Sequence, residues 1–455
     1  MHADMAEDAD RLATAAAERL RTGDRDGARH LYRCLLTLHP ADWRALQGVG
    51  IVAYGAGQPE EALGTLARAR IAQPDQPNPL SNLAVVLGSA GRHEAAVRHL
   101  QDAVAAVPDR AELHYNLGNA LERLHRFEEA TAAFRRALHL RPGHVEAGWN
   151  LGLILLRLGR YSEGWPYYEW RWLRPGMPVE RRTIPAWTGE RFDGRTLLLY
   201  SEQGLGDALQ FIRFLPLVQR RGTDIVVECQ PELISLLAAQ PGAPRIVPRR
   251  APAPQAALQA SIASLPTIFG TTLDSLPAAP PYLHAPDGPS PPLPEHGLRV
   301  GVVWASSSTD RSCPLPLLAS LATVPGVAAV SLQKGPAAAE LGGGGVPLPI
   351  LDMAPHIEDM ADTARIVAKL DLVITVDTSV AHLAGALGRP TWLLLPHLAD
   401  WRWLVEREDS PWYPTMRLFR QWTPGAWNEV VDRVRAALER QTACPPTGTA
   451  EPRSP

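Results

Sequence analysis

The stretch Asp371–Pro390, DLVITVDTSVAHLAGALGRP, reads as a strand, a polar turn and a helix in direct succession. Leu372 to Val376 is a short apolar run that fits a buried strand. Asp377-Thr378-Ser379 comes directly after it, and Val380 to Leu387 is a helical pattern stopped by Gly388 and Pro390. Open α/β sheets bind ligands where a strand end meets a helix start. The free N–H groups and positive dipole of a helix N-terminus suit a phosphate there. The same three residues are good N-caps, so the turn is either an anion site or a cap.

Outward from this stretch the alternation continues. Thr196 to Tyr200 reads as a strand, Ser201 to Gly206 as a Gly-bearing loop, Asp207 to Val218 as a helix and Asp224 to Glu228 as a second strand. Residues 277–294 carry eight prolines and fit neither helix nor sheet interior, so they read as a stiff crossing between two lobes. Beyond it, strands are expected at Arg299 to Trp304, Ala328 to Leu332, Leu372 to Val376 and Thr391 to Leu395.

The N-terminal third has a different grammar. At a period of 34 residues, Ala28, Ala62, Ala96, Ala130 and Gly164 share one column and Pro40, Pro74, Pro108 and Pro142 another. A third column holds Ala16, Gly50, Ala84, Gly118 and Gly152. The unit Leu117-Gly118, Leu121, Ala130, Phe134, Pro142 matches the tetratricopeptide signature. Small residues let paired helices approach and prolines end each second helix, giving a stacked solenoid of five repeats over 9–172. Asn82, Asn116 and Asn150 also recur at this period on first helices, where a ladder of amides can hold an extended peptide by its backbone. The plainer alternative is that Asn suits the repeat position, since Thr14 and Gly48 break the column.

Composition narrows the class. A chain of 455 residues predicts two to three domains. Net charge is -3 with no basic block, which argues against nucleic acid as main partner. Cys34, Cys229, Cys313 and Cys444 fit neither a disulfide framework nor a zinc spacing. The start MHADMAEDAD lacks a signal peptide's apolar core and no run reaches membrane-spanning length, so the expectation is a cytoplasmic protein without transmembrane segment. The tail 441–455 reads as disordered. The aromatic cluster Trp165, Tyr167, Tyr168, Trp170 and Trp172 reads as a seal between the last repeat and the next domain, and Gly342 to Gly345 as a flexible loop.

Two Rossmann-like lobes joined by a linker, with polar loops at strand ends in both, resemble the GT-B glycosyltransferase architecture. The loop GLGDALQF (Gly204–Phe211) resembles the first glycine-aspartate loop of family 9 glycosyltransferases, the heptosyltransferase family. DLVITVDTSVAHLAGALGRP resembles that family's Asp-Thr-Gly-x-x-His element, with Ser379 in place of Gly. The whole chain, including DWRWLVEREDSPWYPTMRLFRQ (Asp400–Gln421), is similar to bacterial proteins that join tetratricopeptide repeats to a family 9-like domain, flagellin glycosyltransferases among them.

The resemblance implies an α-solenoid at 9–172, an acceptor-side lobe at 173–285 and a nucleotide-sugar lobe at 286–440. Asp207 matches the general base. Such a base has an ordinary pKa near 3.9, so apolar neighbours such as Leu205 and Phe211 must raise it, or it acts by orienting the acceptor hydroxyl; the alternative is a helix cap. Arg311, Lys334, Asp377, Thr378, Ser379 and His382 fall where donor and phosphate contacts are expected. An ordinary surface arginine and a packed helix histidine are the rival readings of Arg311 and His382. The Asp-x-Asp triplet Asp8-Ala9-Asp10 lies in the first repeat, so no metal or other cofactor is expected. The function implied is inverting transfer from a nucleotide sugar to a protein acceptor, such as flagellin or another surface protein, recruited through Asn82, Asn116 and Asn150. The alternatives are a lipid-linked or small glycan acceptor, or a repeat scaffold with an inactive transferase domain.

Overall fold

A computed structural model of the chain describes residues 2–73, 76–176, 183–249, 255–277, 279–343 and 349–443. Pro74 of the proline column, Gly344 and Gly345 of the glycine run, and Cys444 with the rest of the tail lie outside these residues; Gln441 to Ala443 close the last helix. The chain divides into two compact units, Met1–Leu155 with Trp170–Arg174, and Leu156–Glu169 with Pro175–Pro455.

The first unit is built from paired helices, α1 (His2–Arg21), α2 (Arg25–Leu38), α3 (Trp43–Gly55), α4 (Pro59–Ala72), α5 (Pro77–Ser89), α6 (His93–Ala106), α7 (Ala111–Arg123), α8 (Phe127–Leu140) and most of α9 (Val145–Arg157). The columns record its packing. Ala28, Ala62, Ala96 and Ala130 are completely buried, and a methyl group on Gly118 would lie 2.6 Å from the Phe134 ring. His39, Val107 and Arg141, each just before a column proline, leave the helical region at φ near -135°, as the following pyrrolidine ring demands. Between the helices of each pair the backbone turns through a left-handed residue. Glycine fills that position at 23, 57, 91 and 159, whereas His125 takes it at φ 57°.

Helix α10 (Tyr161–Tyr168), by period the second helix of the fifth repeat, belongs to the second unit. This unit continues with β1 (Leu197–Tyr200), α11 (Leu205–Phe211), α12 (Leu215–Gln219), β2 (Ile225–Cys229), α13 (Ile234–Ala238), β3 (Arg245–Pro248), β4 (Leu258–Ser261) and α14 (Leu265–Ile268). The helix expected from Asp207 to Val218 starts two residues earlier and breaks at the 3-10 turn Ile212–Phe214. Pro216 is the cause, lacking an N–H and crowding the Ile212 carbonyl four residues back. The four strands form one parallel sheet in the order β3-β2-β1-β4.

The second lobe comprises β5 (Leu298–Val303), α15 (Leu315–Ala319), β6 (Val327–Ser331), α16 (Glu340–Gly343), β7 (Ile350–Asp352), α17 (Met360–Val367), β8 (Leu372–Val376), α18 (Ser379–Ala386), β9 (Thr391–Leu395), β10 (Met416–Arg420) and α19 (Trp427–Ala443). Its sheet, also parallel throughout, runs β10-β9-β8-β5-β6-β7. Alternate strand residues serve opposite faces. Val300, Val302, Leu372 and Ile374 pack with Leu315, Leu318, Val430 and Val434 of α15 and α19. Val303, Val330 and Val373 pack with Ile366, Val367, Val380 and Ala384 of α17 and α18. Helices therefore cover both faces, as a sheet with no solvated side requires. The proline-rich crossing is anchored: Tyr282 and Leu283 donate backbone N–H groups to the Ala386 carbonyl, and the Tyr282 hydroxyl donates to Leu209.

Candidate functional site

The strand order reverses between β1 and the edge strand β4 in one sheet and between the central strands β5 and β8 in the other. Neighbouring loops diverge at such a pair and leave a crevice beyond the carboxyl ends of the strands. The loops concerned meet around one cavity of about 1060 Å³. Gln203 to Asp207 line it from the first lobe; Ser306, Ser307, Arg311, Gln333, Lys334, Asp377 to Val380, His382, Asp400 and Arg402 line it from the second.

Asp207 sits three residues into α11 rather than at its cap. Its Oδ2 accepts the Gly204 N–H at 2.9 Å, and its Oδ1 is ion-paired with Arg402. The expected apolar surroundings are thus replaced by two polar partners, because a single buried guanidinium reaches across from the other lobe. Arg402 also donates to Asp400 at 2.9 Å and to Gln210, and lies 4.4 Å from the centre of the Trp401 ring.

Asp377 directly follows β8 and is buried, with Arg311 at 3.4 Å from its Oδ2. Burial first, and then the neighbouring Asp400 carboxylate, push its pKa up to about 6, against the opposing Arg311 charge. Asp400 moves the other way: burial works to raise it, but Arg402 outweighs that and holds it below the usual carboxylate range. Thr378 occupies the cap position of α18 without a side-chain cap bond, its hydroxyl lying instead 3.2 Å from that of Thr375. The opening turn of α18 therefore presents its N–H groups without a side-chain cap, beside the Ser379 hydroxyl.

His382 is a packed histidine that also borders the cavity. Its Nδ1 lies 2.9 Å from the Tyr413 hydroxyl and its ring stacks on Trp403 at 5.4 Å. Burial, with the charges of Arg402, Arg213 and Arg311, lowers its pKa to about 3, so it is a neutral imidazole at pH 7. Lys334 borders the cavity too, but its ammonium donates to the carbonyls of Ala354 at 2.9 Å and Ile357 at 2.7 Å. One N–H remains for a ligand.

The lining holds three basic side chains, Arg311, Lys334 and Arg402, against seven carboxylates, so an anion would be held by directed donors rather than by net field. Five of those carboxylates have partners: Asp207 and Asp400 on Arg402, Asp377 on Arg311, Asp359 on the N–H groups opening α17, and Glu340 on the Trp304 indole. Among the described residues no three His, Cys, Asp or Glu side chains come together at metal-binding spacing. Asp10 of the Asp-x-Asp triplet pairs with Arg44 inside the first unit.

Sequence reasoning missed Arg402, Asp400 and Gln210. Asp400-Trp401-Arg402-Trp403 carries a signal, a charged pair enclosed by tryptophans, which in a folded core must be paired. In the repeats the amide ladder is partly turned inward. Asn116 donates to Ser81 at 3.0 Å and Asn150 to Asn119 at 2.8 Å, each tying neighbouring first helices together. Asn82 is half-buried on α5.

A family model for the tetratricopeptide repeat matches residues 4–77, 82–144 and 121–169. Protein FlbA of Caulobacter vibrioides (strain ATCC 19089 / CIP 103742 / CB 15) is 29% identical over 318 residues, 61% of this chain and 52% of FlbA. The chain thus spans about half the length of that curated relative. The matched share exceeds the repeat segment, so part of the likeness lies in the α/β unit. Similar solved structures include a crystal structure of MamA, 22% identical, covering 34% of this chain and 91% of that chain with a TM-score of 0.32. Pseudomonas aeruginosa pilF is 20% identical, covering 38% of this chain and 80% of that chain with a TM-score of 0.37. The N-terminal segment carries tetratricopeptide repeats, a protein-interaction module, and no helix among the described residues is long and apolar enough to cross a membrane.

Proposed function

We propose that the second unit is a GT-B glycosyltransferase of the family 9 type. In this reading it moves a sugar, with inversion and without a metal, from a nucleotide sugar to a protein held by the repeats. One observation carries the reading: the carboxyl-end loops of two parallel sheets, each at its topological switch point, line a single cavity with an uncapped helix start on one wall and a carboxylate on the other. The leaving phosphate would rest on the opening turn of α18, with Ser379 and Arg311 as further donors. The acceptor oxygen would attack the anomeric carbon as the sugar–phosphate bond breaks, its proton passing toward Asp207. Arg402 and Gly204 each occupy one oxygen of that carboxylate, and the remaining lone pairs would orient the acceptor hydroxyl and take its proton.

The same ion pair favours a second reading, a repeat scaffold whose transferase-like unit is inactive, with Asp207 a lobe-joining group. Intact-mass analysis separates the two. The full chain is incubated with co-purifying proteins and a panel of nucleotide sugars, and a sugar-sized mass gain on a protein supports transfer. No gain with any donor, while the partners still co-purify, supports the scaffold.

A further inference from the structure

Helix α10 continues the repeat pattern in sequence, yet its side chains at 161, 165 and 168, one helical face, contact residues of both lobes, among them the cavity-lining Gln203. The Tyr161 hydroxyl accepts the Trp412 indole N–H at 2.7 Å. Trp165 donates to the Thr271 carbonyl at 2.8 Å and meets Trp401, the residue before Arg402, edge-on at 5.3 Å. The Tyr168 hydroxyl receives the Gln203 Nε2 at 2.9 Å and lies 3.2 Å from its Oε1. Gln203 opens the turn that carries Gly204 and Asp207, and its own carbonyl accepts from Gln230 at 2.5 Å. The turn is therefore pinned at its first residue by two side chains, one from behind β2 and one from α10.

We infer that Tyr168 is a positioning residue of the cavity, holding through Gln203 the turn that presents Asp207. A ring alone would fill the space, since Tyr168 already packs on Trp165 at 5.8 Å and on Trp401 at 5.9 Å. What the hydroxyl adds is a directional tie to a cavity-lining side chain. The chain on either side of α10, Val145–Leu155 and Trp170–Arg174, belongs to the repeat unit, so the tie also places a repeat-derived helix in charge of the turn's geometry.

The test is a double-mutant cycle in the full chain with Tyr168→Phe and Gln203→Met, read by amide exchange at 204–207. Each single change removes the same hydrogen bond and should speed exchange there about five-fold, the scale of one such bond, with the repeat amides unchanged. The double change should be no worse than either single one. Additive effects, unchanged exchange, or acceleration spread evenly over the second unit would each overturn the inference. If Tyr168→Phe does not fold, Gln203→Met alone decides by whether acceleration is confined to the turn. Exchange requires no nucleotide and so stands apart from the transferase reading. Only a second readout, weaker binding of UDP, GDP or ADP by both variants, rests on that reading.

Discussion

A methyl group on Gly206 would lie 2.7 Å from Cδ2 of His382, so the glycine of the first lobe's turn exists where α11 presses against the imidazole on α18. The glycine serves helix packing between the lobes, and His382 cannot give way because Tyr413 and Trp403 fix its ring. Gly206→Ala should therefore lower stability by about 1–3 kcal/mol, the usual scale for overpacking a rigid site. Chemical denaturation of the full chain measures this, and an unchanged midpoint would mean the two helices do not meet.

Asp377 makes stability pH-dependent. Its folded pKa of about 6 lies above that of an unfolded carboxylate, so the native state binds the proton more tightly. Its contribution is then fully present below about pH 4 and lost as pH rises through 6, a penalty of roughly 2–3 kcal/mol at neutral pH. Asp377→Asn should raise the melting temperature at pH 7.5 and leave it unchanged near pH 4. His382 titrates in the opposite sense but is common to both proteins, so their difference reports Asp377 together with its interaction with Asp400. A variant less stable than the parent at pH 7.5 would show that the Arg311 pair outweighs burial.

Removing the guanidinium should cost far more than removing one of its carboxylates. Arg402→Met leaves Asp207 and Asp400 without their cation, and loss of one partner in a buried network typically costs about 3–5 kcal/mol. Asp207→Asn leaves Arg402 on Asp400 and keeps the Gly204 cap, so the melting temperature should move little. If transfer occurs, its rate should fall by roughly 10² in that variant, the scale for losing a positioned base. Full activity of Asp207→Asn would leave Asp207 as a structural tie alone.

Nucleotide binding is predicted at the start of α18 without added metal. A nucleoside diphosphate should raise the melting temperature, EDTA should not abolish the shift, and Arg311→Ala should reduce it. Strict dependence on Mg²⁺ or Mn²⁺ would require a different site.

The boundary between the units can be located by truncation. A chain starting at Leu156 keeps Tyr161, Trp165 and Tyr168, all buried in the second unit, and should unfold cooperatively. One starting at Pro175 lacks them, uncovers Trp401 and Trp412, and should be less stable by about 3 kcal/mol or more for each aromatic lost. Equal stability of the two would place α10 outside the second unit's core.

The sequence by itself determined what is local or periodic. A repeat packs within itself and on its neighbours, so burial recurs every 34 residues and the alanines 28, 62, 96 and 130 announce it. Strands β8 and β9 were legible over their whole length because both faces of a parallel sheet are covered, leaving continuous apolar runs. The strands β3, β7 and β10 lie at sheet edges and carry exposed residues, so no comparable run marks them. Which charges pair was decided only by tertiary structure. Arg402 and Asp207 are 195 residues apart, and nothing along the chain distinguishes that partner from many other carboxylates. Likewise α10 keeps the repeat's spacing, but its aromatic face packs on Trp401 and Trp412, more than 230 positions further along the chain, a pairing that only tertiary structure could decide.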